Sequence, residues 1–187
     1  NSIIYVTDNI GFIYAYNFKS DKLLWAKNYK IPFRSNLKIF QEKLITANLN
    51  NDLIFINKKN GEILQKIPTE ETKIKNKFVN NLSLNNDLLI FLNTYGSIYG
   101  IDSKSMKIKW FLNINQSTDK SLSNLFDGSE VISIGKIVVV SSKTFTYIIN
   151  VIDGSLIFRK NFSTALKPII NRNNLFIISK NNLLLAV

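Results

Sequence analysis

A single hairpin-like stretch recurs along these 187 residues, each time with the same internal spacing. Its clearest copy is 96–110, where Ile98, Gly100, Ile108 and Trp110 fall at period two and are expected on one face of a sheet. Between its two strands lies the polar cluster Asp102-Ser103-Lys104-Ser105, rich in residues that bond their own backbone in turns. Further copies occupy 13–25, 53–65 and 146–158. The Asn or Asp that ends the first strand stands at Asn17, Asn57, Asp102 and Asn150, each eight residues before Trp25, Gln65, Trp110 and Phe158. Those last residues are 40, 45 and 48 positions apart.

Self-similarity at this period, carried by strands alone, points to the blades of a β-propeller. Two more strand-like runs precede each later hairpin: 36–40 with 43–47, 80–84 with 87–92, 130–134 with 136–141, and 168–171 with 175–179. The first hairpin has one such run, 3–7, and a fifth copy begins at 183–187. The expected fold is therefore all-β, with four-stranded antiparallel blades. About three blades are whole and flanked by incomplete ones, in a single partial propeller domain over 1–187. The pieces run approximately 1–28, 34–67, 78–113, 128–162 and 166–187.

Composition removes several kinds of chemistry. The chain has no Cys and no His, which excludes disulfides, cysteine-based metal sites and any Ser/His/Asp set. No Gly-rich phosphate loop is present, and the carboxylates are scattered; Asp127 with Glu130 is the one pair placed to share a cation. No catalytic, cofactor-binding or metal residue is assigned. The net charge is +11. The lysines are spread among turns without a basic block and arginine is scarce (Arg34, Arg159, Arg172), so the charge reads as compositional bias and nucleic acid is not the expected partner. No apolar run approaches the ~18 residues of a membrane span. A signal peptide or lipid anchor would precede Asn1.

Gly61 and Gly154 complete Asn-Gly and Asp-Gly turns, strong hairpin signals, whereas Ser20-Asp21 and Ser105-Met106 are weaker equivalents. Trp25 and Trp110 are expected to cover the gap between neighbouring blades. The connections 68–78 and 114–128 are longer than a hairpin needs and join one blade to the next, so they emerge at the same end of their blades. Arg34, Phe78, Phe126 and Lys167, at the starts of first strands, are the candidate partner-binding residues. For Phe78 and Phe126 the alternative role is to cap the blade.

The hairpin pattern resembles the quinoprotein-type propeller repeat: a small or apolar residue, then Asp or Asn, then a turn often closed by Gly, then Trp. The match is best at 15–25 and 100–110, partial at 55–65 and 148–158, and extends over essentially the whole chain. The resemblance implies one of two uses. One is a dehydrogenase holding pyrroloquinoline quinone with a divalent cation, often beside a vicinal Cys pair. The other is a noncatalytic propeller, above all the BamB-like lipoprotein scaffold of outer-membrane β-barrel assembly. With no Cys or His, the scaffold is the expected use, ahead of another noncatalytic propeller. It implies a periplasmic location, a protein partner from the assembly machine and no cofactor.

Overall fold

The computed structural model describes residues 2–70, 79–115, 126–164, 166–171, 174–179 and 182–186. Among them are strands and no helix. They fall into two compact units, Asn1–Lys73 and Ile74–Val187.

In the first unit, β1 (Ile3–Thr7), β2 (Phe12–Asn17) and β3 (Lys22–Asn28) form a three-stranded antiparallel sheet, blade 1. Next, β4 (Lys38–Phe40), β5 (Lys43–Ala47), β6 (Leu53–Asn57) and β7 (Ile63–Ile67) form the four-stranded blade 2. In the second unit, β8 (Asn81–Asn85), β9 (Leu88–Leu92), β10 (Ser97–Asp102) and β11 (Lys107–Asn113) make blade 3. Blade 4 is β12 (Ile132–Ile134), β13 (Ile137–Ser141), β14 (Thr146–Asn150) and β15 (Leu156–Lys160). Blade 5 has three strands, β16 (Ile169–Asn171), β17 (Asn174–Ile178) and β18 (Leu184–Ala186). Every sheet is an antiparallel meander in chain order, so the three whole blades and two flanking ones match the expected architecture. The first strands of blades 2 and 4 are shorter than the runs 36–40 and 130–134. Ahead of them, Ser35 and Ser129 offer Oγ to the N–H of Ala47 (2.7 Å) and Ser141 (3.0 Å), replacing ladder bonds with side-chain bonds.

The middle strands of blade 4 carry near-continuous apolar runs because both of its faces are covered. In blade 4, Val138, Val140, Tyr147 and Ile149 pack with Ile90, Ile98 and Trp110 of blade 3. The alternate residues Val139 and Ile148 pack with Leu175 and Ile177 of blade 5. Period two thus divides one strand between two cores.

Each hairpin turn is built alike. The Oδ1 of Asn17, Asn57, Asp102 and Asn150 accepts the N–H of Lys19 (3.0 Å), Lys59 (2.9 Å), Lys104 (3.1 Å) and Ile152 (2.9 Å). Four residues on, the backbone turns left-handed: φ is 53° at Asp21, 71° at Gly61, 57° at Met106 and 74° at Gly154. Glycine takes this conformation without steric cost, and Asp21 and Met106 do not.

A bulge then occurs at one place in all four hairpins. Ala15 faces Trp25 and Tyr16 faces Leu23; Phe55 faces Gln65 and Ile56 faces Ile63. Gly100 faces Trp110 and Ile101 faces Ile108; Ile148 faces Phe158 and Ile149 faces Leu156. The extra residue reverses the parity of the returning strand. Ile108 therefore does not share a face with Trp110, as strict period two required: it is exposed and Trp110 is buried.

The bulge aims each tryptophan at the next hairpin. The Trp25 indole donates to Lys58 O at 3.1 Å and lies over Gly61, where a Cβ would come within 2.8 Å of its Cζ3. The Trp110 indole donates to Val151 O at 2.9 Å and lies over Gly154, where a Cβ would come within 2.5 Å of its Cε3. Its other side covers Gly100, leaving 2.1 Å for a Cβ. Tyr5 also donates to Lys58 O (3.2 Å) and Tyr29 to Gly61 O (2.6 Å). Burial pushes the Tyr29 phenol up to about 12, so it remains a donor.

Trp110→Ala removes a buried indole and its hydrogen bond and is expected to cost about 3–5 kcal/mol in urea unfolding. Gln65→Ala, at the equivalent but exposed position, is expected to stay within about 0.5 kcal/mol. Met106→Gly is expected to stabilise by about 1 kcal/mol, because it relieves a left-handed non-glycine residue.

Candidate interaction surface

The connection between blades and the turn between second and third strands lie at the same end of each antiparallel blade. In blade 2 this end is anchored by Phe33, whose backbone bridges Asn48 and whose ring sits edge-on to Tyr29 at 5.5 Å among Ile13, Leu44 and Ile54. Arg34 follows, half-buried, its N–H donating to Ala47 O at 3.0 Å. Phe126 is anchored in the same way ahead of blade 4. Only 3% of it is exposed, and its ring fills the space that a Cβ on Gly96 would enter at 2.6 Å. A ring so covered packs the blade and presents no surface to a partner. Lys167 is exposed and pairs with Glu130 at 3.3 Å. Phe78 lies outside the described residues. The structure thus leaves Arg34 and Lys167 accessible at this end of their respective blades, and ties Lys167 to Glu130.

Polar side chains organise the same end. The Oδ1 of Asp8, Asn48 and Asn93 each accepts two N–H groups of its own turn: Ile10 and Phe12, Asn50 and Asp52, Tyr95 and Ser97, all at 2.7–3.0 Å. Ser142 and Ser179 take the corresponding places in blades 4 and 5. Their recurrence once per blade was the signal available in the sequence. It was overlooked because Asp, Asn and Ser alternate at the position. The densest network is in blade 2, where Asp52 is buried, accepts from Asn48 Nδ2 at 2.8 Å and pairs with Lys66 at 2.8 Å. Beside it, Asn51 donates to Glu70 O at 2.8 Å and Thr69 to Asn51 O at 2.6 Å.

The opposite end carries the hairpin turns. Asp102 accepts from the Ser105 N–H (2.7 Å) and the Ser105 hydroxyl (2.9 Å), with Lys109 at 3.6 Å. The Ser105 backbone bond above all, then its hydroxyl, holds the Asp102 carboxyl below its ordinary range. Asp127 is exposed, and Glu130 is engaged with Lys167. Among the described residues no three acidic side chains converge as a cation site would require.

Over residues 1–187 the sequence matches the family described as outer membrane protein assembly factor BamB. The chain belongs to the BamB family. BamB from Moraxella catarrhalis superposes with a TM-score of 0.74 at 11% identity, covering 98% of this chain and 54% of that one. Sqt1 of Saccharomyces cerevisiae gives 0.73 at 14% identity, covering 97% and 54%. The quinohemoprotein alcohol dehydrogenase of Comamonas testosteroni gives 0.73 at 11% identity, covering 100% and 40%. At such identities the likeness is one of fold, a PQQ-like β-propeller. This BamB-family chain spans about half the length of BamB and Sqt1. No curated protein sequence matches it at a significant level.

Asp52→Ala removes a buried acceptor of the Asn48 amide and the ion pair with Lys66, and is expected to cost about 1–3 kcal/mol in chemical denaturation. For Asp102 the depressed folded pKa gives stability that is present above the ordinary carboxylate pKa of about 3.9 and lost as pH falls through the folded value. Asp102→Asn keeps the Oδ1 acceptor of its counterparts but cannot titrate. Urea midpoints at about pH 7 and about pH 3 are expected to differ less for this variant than for the parent chain.

Proposed function

We propose that residues 1–187 act as one noncatalytic interaction segment of a BamB-like scaffold. It would serve the machinery that assembles β-barrel proteins into the outer membrane, on the periplasmic side. The observation that carries this reading is the family match over the full chain. Blades pinned by indole-on-glycine contacts support it, because a rigid sheet holds its turns and connections in fixed positions for docking. The partner is a protein subunit of the assembly machine, engaged by the half-buried Arg34 and the exposed Lys167 at the starts of blades. Any hold on the membrane comes through a lipid anchor outside these residues. The residue set also favours a scaffold over the quinone-dependent chemistry of a dehydrogenase neighbour. The chain offers neither Cys nor His, and among the described residues Asp102 serves a turn and Glu130 a surface ion pair.

The test is co-purification. The affinity-tagged chain is expected to retain the main assembly subunit from detergent-solubilised envelope, and Arg34→Glu with Lys167→Glu to reduce its recovery about tenfold or more. No retention by the parent chain overturns the reading. In a separate melt, pyrroloquinoline quinone with calcium is expected to leave Tm unchanged; a raised Tm with visible absorbance would favour the dehydrogenase instead.

A further inference from the structure

Blade 4 breaks a device that blades 2 and 3 share. At the turn between first and second strands, Gln41, Asn86 and Gly135 take positive φ, and the next residue's carbonyl accepts an N–H from the hairpin turn of the same blade. Those bonds are Lys58 N to Glu42 O (2.9 Å), Ser103 N to Asp87 O (2.8 Å) and Val151 N to Lys136 O (3.0 Å). In blades 2 and 3 an ion pair locks the two turns. Glu42 pairs with Lys58 at 2.9 Å and Lys59 at 3.6 Å, and Asp87 with Lys104 at 2.5 Å. In blade 4 the acid is replaced by Lys136 and the lysine by Ile152. Lys136 is exposed and has no carboxylate partner among the described residues, and Ile152 is 67% exposed.

Lys136 follows Gly135 in the chain, and Gly135 and Ile152, together with Asn85, Asn86, Asp87, Leu88, Lys109 and Val151, line a cleft of about 230 Å³ between blades 3 and 4. Its walls are fixed. Asn85 Nδ2 donates to Ser133 Oγ (3.0 Å) and Gly135 O (2.9 Å), and the Val151 carbonyl is held by Trp110. The volume is below the roughly 300–1,000 Å³ of small-molecule pockets and suits one side chain. Its apolar lining is Leu88, Val151 and Ile152; of its charged lining, Asp87 is paired with Lys104 and Lys109 with Asp102, whereas Lys136, next to Gly135, has no carboxylate partner among the described residues.

We propose that this cleft is a docking site for an extended acidic peptide segment of a protein partner. One aliphatic side chain of the segment enters against Leu88, Val151 and Ile152, and a flanking carboxylate pairs with Lys136. With Asp87 neutralised by Lys104 and Lys109 by Asp102, the uncompensated charge of Lys136 favours an acidic segment over a basic one. The site is independent of the assembly reading, because it lies at the end of blade 4 opposite to Glu130 and Lys167.

The test is fluorescence anisotropy of the full chain with fluorescein-labelled Gly-Ser-Glu-Leu-Glu-Leu-Glu-Ser-Gly. Saturable binding is expected, weakened about tenfold or more by Ile152→Ser and by Lys136→Glu, and unchanged by Lys167→Glu. A peptide with Lys for Glu, or Ser for Leu, is expected to bind at least about tenfold more weakly. The double variant Lys136→Glu with Ile152→Lys rebuilds the ion pair of blades 2 and 3, so it should keep or raise Tm while abolishing binding. Absence of saturable binding, equal affinity for the Ile152 and Lys136 variants, or equal affinity for the control peptides overturns the proposal.

Discussion

An indole laid on a glycine is the contact on which the seams between blades 1 and 2 and between blades 3 and 4 depend. Trp25 on Gly61 and Trp110 on Gly154 join one blade's last strand to the next blade's hairpin, and each donates a hydrogen bond to a turn carbonyl. The contact needs three things at once: a bulge to aim the ring, a small residue beneath it in its own blade, and no Cβ on the turn it reaches. The chain supplies all three together. Ala15 and Gly100 stand opposite the tryptophans, while Phe55 and Ile148 stand opposite Gln65 and Phe158. Glycine closes the turns that follow a tryptophan, and Met106 closes the turn that follows Gln65.

Because blade 4 is covered on both faces, its middle strands cannot alternate apolar with polar. Val138, Val139 and Val140 are all buried, yet they belong to two different cores. Polar demand is moved to the sheet ends, where Asp, Asn and Ser side chains satisfy the turn N–H groups. Once the ends are stitched in this way, connections can vary in length without disturbing the sheets. Variation there makes the starts of blades, with Arg34 and Lys167, and the altered turn pair of blade 4 the places where a repeating frame acquires identity.

Much of the fold was legible in advance. The spacing of Asn17, Asn57, Asp102 and Asn150 from the residues eight positions later encodes the hairpin, since turn and bulge together consume a fixed number of residues. Runs 3–7 and 43–47 match their strands residue for residue. The parity of Ile108 was not legible, because a bulge leaves no mark in an apolar pattern. The site was less readable still. Phe126 and Lys167 look alike as residues at the mouth of a strand, and only packing separates a buried ring from an exposed ammonium. Lys136 and Ile152 drew no attention, because an exposed isoleucine in a turn carries meaning only beside the ion pairs of its counterparts.

Sequence alone determined the strand content, the blade repeat and the absence of cysteine and histidine chemistry, because these follow from local backbone preferences and residue inventory. Tertiary structure decided which side of each strand faces which core, what lies over each glycine and which charges remain unpaired. Those properties depend on neighbours distant in the chain, as Lys58 is from Trp25 and Val151 from Trp110, whose contacts no local pattern records.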